Sequence, residues 1–174
     1  MAQSSSTLTR LSEAFVISCG TITLDPVEKK ILLIRWRKNG EIFLPKGRKN
    51  VGESQEDAAV RETYEETGFR VMFLPLHITT LATPGTAINQ ACELNTEPIA
   101  FSQRLTDNDI LKLIFWFAAQ GDSTAAPESG TQEEGEDFDP VWVDLNGVTE
   151  ALTFADDRRI AERFISLLPS YYAA

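Results

Sequence analysis

Residues 47–69 read GRKNVGESQEDAAVRETYEETGF, a glycine-containing loop running into one helix and a second glycine. The spacing predicts the helix over 55–67. Ser54 followed by Asp57 is a capping-box-like start, with Ser54 accepting from the first turn, and Gly68 is the stop. At 100° per residue, Glu62, Glu65 and Glu66 fall within an arc of about 100° on one face. Ala59, Val60, Thr63 and Thr67 fall roughly 140° away, a face suited to lie on a sheet. Three carboxylates are thereby expected on the side that does not pack. Their mutual repulsion is unfavourable, and a hard divalent cation that prefers oxygen ligands would reverse its sign. A solvated acidic helix face is the ordinary alternative, because glutamate is a good helix former.

Working outward, residues 13–24 alternate and are rich in β-branched side chains, which predicts a strand ended by Asp25-Pro26. KILLIRW, 30–36, is a second strand, followed by the turn Lys38-Asn39-Gly40. Residues 41–44 form a short third strand leading into Pro45-Lys46-Gly47. After the helix, 69–81 reads as extended and 83–97 as an irregular loop. Strands follow at 99–103, 112–119 and 141–143, and apolar Ile160, Phe164, Leu167 and Leu168 predict a helix over 156–168 that packs on the sheet. Strands and helices mix without regular alternation, which points to an α+β domain with helices flanking a mixed sheet. The expected organisation is a flexible tail at 1–12 and a single domain over 13–170, with a flexible acidic loop at 120–138.

Composition narrows the function. The chain has 174 residues and a formal net charge of −10, which argues against general nucleic-acid binding. The charge is also sorted. Residues 31–50 carry Arg35, Arg37, Lys38, Lys46, Arg48 and Lys49 against the single acid Glu41, whereas 121–144 carry eight acids and no base. No apolar run reaches the ~20 residues of a membrane span, and no signal-peptide pattern opens the sequence, so a cytoplasmic protein with no membrane partner is expected. Cys19 and Cys92 make neither a disulfide framework nor a zinc site; Cys19 reads as a buried structural thiol. The lone histidine, His77, stands outside any nucleophile motif.

The 47–69 string resembles the Nudix box: Gly, five residues, Glu, seven residues, then Arg-Glu-aliphatic-any-Glu-Glu-any-Gly-aliphatic. Gly47, Glu53, Arg61, Glu62, Glu65, Glu66 and Gly68 match its fixed positions. At residue frequencies of roughly 7%, seven such matches arise by chance about once in ~10⁸ windows. Thr63 departs from the usual aliphatic residue, and Phe69 is aromatic where an aliphatic one is common. Thr63 is expected to bury its methyl and back-bond its hydroxyl to the preceding turn. The resemblance implies an α/β/α sandwich with the box as a loop-helix-loop. It implies a Mg²⁺ cofactor, with Mn²⁺ as a substitute, held by Glu62, Glu65, Glu66 and the carbonyl of Gly47. It also implies that Glu53 and Arg61 pair to brace the loop against the helix, and that water attacks a diphosphate linkage. The base is left open among Glu62, Glu66 and Glu136, an acidic residue six before Trp142.

The substrate must be read from the remaining residues. Five excess positive charges beside the box suggest a small, highly anionic substrate, with Lys46 and Arg48 nearest Gly47 and Arg35, Arg37, Lys38 and Lys49 as further candidates. A charged strand edge is the alternative for these, and strand alternation forbids all of them facing one way. LPKGRKN is similar to the segment before the box in Nudix enzymes acting on diphosphoinositol polyphosphates and diadenosine polyphosphates. TEPIAFSQR and LKLIFWFAA resemble a group of fungal Nudix proteins of this type. The leading expectation is a diphosphoinositol polyphosphate diphosphatase, acting as a monomer. Pro84, fifteen residues after Phe69, is similar to a proline of ADP-ribose pyrophosphatases and makes those the runner-up, ahead of nucleotide-pool cleansing. A non-catalytic module that binds inositol phosphates is the alternative of another class, and the intact box argues against it.

Overall fold

In the computed structural model, residues 9–83 and 94–172 are described. Pro84 and Cys92 lie outside them. The centre of the molecule is β1 (Phe15–Asp25), paired in parallel along almost its whole length with β7 (Leu111–Gln120), from Phe15 opposite Leu111 to Leu24 opposite Gln120. The other edge of β1 is shared. Its C-terminal end pairs antiparallel with β2 (Lys30–Trp36), and its N-terminal half with the short β4 (Lys46–Arg48). β3 (Ile42–Phe43) and β8 (Phe138–Asp144) pair with β2, while β5 (Met72–Phe73) and β6 (Ala100–Leu105) pair with β7. One parallel pair among antiparallel ones makes the sheet mixed, as expected.

Helices cover both faces. α1 (Gln55–Thr67) lies on one side, where Ala58 and Ala59 pack with Cys19 and Phe117. α2 (Val148–Ala151) and α3 (Ala155–Tyr172) lie on the other, where Ile160, Phe164, Leu167 and Leu168 join Ile22, Leu24 and Trp116 in the larger core. β1 is buried on both faces from Ser18 to Asp25, so its two alternating sets, Cys19-Thr21-Thr23 and Gly20-Ile22-Leu24, meet different helices. This is the α/β/α sandwich.

The expected elements differ most in extent at three places, and the strand β4 forms at Lys46–Arg48 where a loop was expected. Ser12–Ala14 form a 3₁₀ turn, so the first strand begins at Phe15. Of 69–81 only Met72–Phe73 pairs, because β6 already occupies the edge of β7 as far as Trp116 and leaves Ala119–Gln120 alone. The strand expected at 141–143 runs from Phe138 to Asp144, because β2 offers it a partner at every residue from Lys30 to Trp36. Pro140 is tolerated inside it, as only one edge of β8 is paired.

The turn after β1 is fastened by Asp25, which is almost fully buried. Its carboxylate accepts from the amides of Val27 and Glu28 at 2.9 Å and of Ser123 at 2.8 Å. Burial alone would raise its pKa; the amides of Glu28, Ser123 and Val27 overcome this and bring it down from 3.8 to about 2. A depressed carboxylate contributes stability above its unfolded pKa and loses it as pH falls through the folded one. Asp25 is therefore expected to add on the order of 2 kcal/mol at neutral pH, lost between about pH 4 and pH 2. Urea unfolding across that window should show Asp25→Asn with a flatter acid limb than wild type; parallel limbs would contradict the assignment.

Candidate active site

The box folds as its caps dictate. Ser54 Oγ accepts from the amide of Asp57 at 3.0 Å, and Gly68, at φ 74°, donates its N–H to Tyr64 O at 2.7 Å. Thr63 fits the sheet side through hydrogen bonding: its Oγ1 donates to Ala59 O at 2.8 Å and meets Thr21 Oγ1 at 2.8 Å, which in turn meets Thr23 Oγ1. Phe69 sets its ring edge-on against Trp142, with centroids 5.4 Å apart. Both departures from the family pattern are thus absorbed by packing.

The carboxylate face is not the open stripe expected from the helix alone. Glu65 is part-exposed, but Glu62 is only 8% exposed and Glu66 only 3%. The cause lies outside the helix: β4 crosses over this face. A Cβ built on Gly47 would sit 1.6 Å from Glu62 Oε2, so only glycine lets that carboxylate lie against the strand. Next to it, the amide of Lys46 donates to Glu66 Oε2 at 2.7 Å. Burial pushes the Glu66 carboxyl up to about 8 against the opposing pull of Lys46, and burial likewise raises Glu62.

Arg61 organises the rest. Its Nε and Nη2 grip Glu53 at 2.7 and 2.9 Å, its Nη1 donates to Glu62 Oε1 at 2.8 Å and Glu65 Oε2 at 2.6 Å, and its Nη2 also donates to Arg48 O at 2.9 Å. The Glu53 hydrogen bonds come first among the influences that raise its pKa. The loop is tied to the helix by this one guanidinium.

Glu136 reaches the same neighbourhood from the 120–138 segment and adds to the raised pKa of both Glu62 and Glu66. The segment leans on the end of α1. Glu128 N donates to Gly68 O at 2.9 Å, Thr131 Oγ1 to Glu65 O at 2.8 Å, and Gln132 Nε2 to Glu66 O at 3.2 Å.

The expected basic candidates separate into two sets. On β2, Arg35 pairs with Asp139 at 2.9 Å, and just beyond it Arg37 pairs with Asp137 at 3.1 Å and Asp139 at 2.7 Å, so the sorted charges of the sequence meet along the β2–β8 pair and at its end. Expecting those two guanidiniums to be open to phosphate overlooked partners about a hundred residues away. Lys38 lies over the Trp36 ring, and Lys49 donates to Asn50 O. Lys46 and Arg48 flank Gly47, and among the described residues neither forms an ion pair. Sequence reasoning missed Lys112, which burial first, then nearby Lys46 and Arg104, pull down to about 8. The signal was available: Lys112 shares the alternation of Ile114 and Trp116, which are buried.

The donor set suits a hard cation. Every candidate ligand is oxygen, Gly47 leaves room for Glu62 where a Cβ would stand, and Glu66 carries a charge that burial disfavours and a cation would relieve. The three glutamates are spaced along the helix with Arg61 between two of them. Among the described residues, no three carboxylates already converge on one point.

Comparison with known proteins agrees with this geometry. The NUDIX domain family model matches residues 15–164. Similar solved structures include a NUDIX hydrolase from Nitrosomonas europaea (16% identity, TM-score 0.58, covering 87% of this chain and 88% of that one). Others are a NUDIX-family hydrolase from Clostridium perfringens (21%, 0.56, 88% and 97%) and a MutT protein from Methanosarcina mazei Go1 (20%, 0.56, 90% and 97%). The chain belongs to the Nudix family of hydrolases.

Gly47→Ala is expected to displace Glu62 and to lower hydrolysis at least tenfold while the helix content by circular dichroism stays constant. Unchanged turnover would mean that the close approach of β4 to Glu62 has no part in the chemistry.

Proposed function

We propose that the protein is a Mg²⁺-dependent hydrolase of a phosphoanhydride in a densely phosphorylated small molecule, foremost a diphosphoinositol polyphosphate, with diadenosine polyphosphates as further substrates. The observation that carries this reading is the placement of Lys46 and Arg48, which form no ion pair among the described residues, on either side of the glycine that faces Glu62, with the Lys46 ammonium over the Phe43 ring. Their charges act near the reacting phosphates in an otherwise acidic protein.

Glu62, Glu65, Glu66 and the Gly47 carbonyl would hold the metal. Bound Mg²⁺ would supply neutralisation of the phosphate oxygens and acidification of a water. The remaining work is positioning. Lys46 and Arg48 hold phosphate oxygens at the mouth of the site, Arg forking onto two of them. Arg61 keeps the loop and helix in register and restrains Glu62 and Glu65. Glu62, Glu66 or Glu136 accepts the proton of the attacking water, Glu136 being the one of the three outside the box. Arg35 and Arg37 take no part in this reading, as Asp137 and Asp139 already occupy them. The whole unit is a single domain over 13–170.

The test is phosphate release from diphosphoinositol polyphosphates, diadenosine polyphosphates and ADP-ribose, with Mg²⁺ and with chelator. Fastest, metal-dependent release from the most phosphorylated substrate is expected. Selective cleavage of ADP-ribose would reverse the ranking, and binding without turnover would make the protein a sensor. Glu66→Gln should lower kcat by about 10²-fold or more, an effect of the size seen when an electrostatic group is removed from a reacting centre, with unfolding unchanged by calorimetry. Near-normal kcat in that variant would remove Glu66 from the metal set.

A further inference from the structure

Several basic residues form no ion pair among the described residues, Lys112 among them. Among the described residues Arg10, Arg35, Arg37, Arg61, Arg70 and Arg104 all have carboxylate partners. Lys112, part-buried in the middle of the sheet, has none within ion-pair distance. Its position is fixed by register. Lys112 stands opposite Val16 of β1 and Arg104 of β6, while Ser18 and Gly20, next in the same alternation on β1, stand opposite Arg48 and Lys46 of β4. All four cations therefore project from the α3 face of the sheet. Lys112 occupies the place in the row Trp116-Ile114-Lys112 where another core side chain would follow.

Two buried polar atoms share this region without partners. Ser18 Oγ, on a fully buried residue, stands between Ile114 and Arg48 in the register, one step along β1 from the positions opposite Lys112 and Lys46, and Asp157 Oδ1 lies on the first turn of α3, within electrostatic reach of Lys46 and Arg104. A part-buried ammonium with no ion-pair partner, drawn only by Glu66 at longer range and set beside orphaned polar atoms, is unfavourable in the free protein. The cluster borders the chemistry, because Lys46 donates its amide to Glu66.

We infer that Lys112, with Lys46 and Arg48, forms a second anion subsite on the α3 face of the sheet, which holds a phosphate of the substrate that is not part of the cleaved linkage. Lys112 is thus a specificity residue: it selects molecules bearing phosphates beyond the two being separated. The inference rests on the hydrolase reading above and adds where the rest of the substrate lies.

The experiment uses inositol hexakisphosphate as the probe, titrated calorimetrically without metal into wild type, Lys112→Met, Lys112→Arg and Lys30→Met. The last makes the same change in net charge at the far end of β2. Expected results are at least tenfold weaker binding for Lys112→Met, recovery to within threefold for Lys112→Arg, and less than twofold change for Lys30→Met. Because the subsite is unfavourable when empty, Lys112→Met should melt no lower than wild type. In turnover, Lys112→Met should raise KM for the most phosphorylated substrate far more than it lowers kcat. Equal affinities for Lys112→Met and Lys30→Met would overturn the subsite, as would a loss of binding accompanied by a lower melting point that Lys112→Arg fails to restore. A wild type that binds the probe but cleaves no diphosphoinositol substrate would overturn the proposed activity and leave the subsite standing. Cleavage with equal KM in wild type and Lys112→Met would do the reverse.

Discussion

One guanidinium carries the site. All five N–H donors of Arg61 are engaged, two by Glu53, one each by Glu62 and Glu65, and one by the carbonyl of Arg48. Three acidic side chains could not otherwise share so little space, since removing the cation would leave buried carboxylates uncompensated. The same contacts fix the loop before the helix, and through Arg48 they fix β4. Since β4 brings Gly47 over Glu62, the carboxylates, the backbone and the first two basic side chains are all referred to a single planar group. A lysine there would keep the charge and lose the fork that reaches two elements at once.

Much of this was legible in the chain. The limits of α1 follow from Ser54 and Gly68, which are local signals, and the structure ends the helix where they do. β2 coincides with its apolar run, whereas the alternation read in β1 does not foretell its burial on both faces, which the helices on either side impose. The sandwich itself followed from the box and from the amphipathic C-terminal helix. What escaped was set by partners far along the chain. Helical phase alone gives Glu62 and Glu66 a direction but says nothing of β4 crossing over them. The lengths of β5 and β8 depend on which edges of β7 and β2 remain free. Arg35 and Arg37 look like substrate grips until Asp137 and Asp139 are brought alongside by the β2–β8 pair.

The electrostatics of the two sheet faces differ accordingly. The α1 face concentrates carboxylates, with Glu136 arriving from the acidic segment to join Glu62 and Glu66. The α3 face gathers Lys46, Arg48, Lys112 and Arg104. The boundary between them runs through β4, whose alternation turns Gly47 to one side and its two basic neighbours to the other. Three residues of strand therefore set Gly47 against Glu62 on one side and turn two basic side chains to the other.

The parallel β1–β7 pair has a consequence for assembly of the chain. Phe15 meets Leu111 only after about a hundred intervening residues have been gathered in, a closure that slows folding relative to local contacts. The box, by contrast, is contiguous, and its caps and its Glu53–Arg61 clasp can form before the frame exists. The box is thus local in sequence, while the surface that would recognise the substrate is drawn from β1, β4, β6 and β7, strands far apart along the chain.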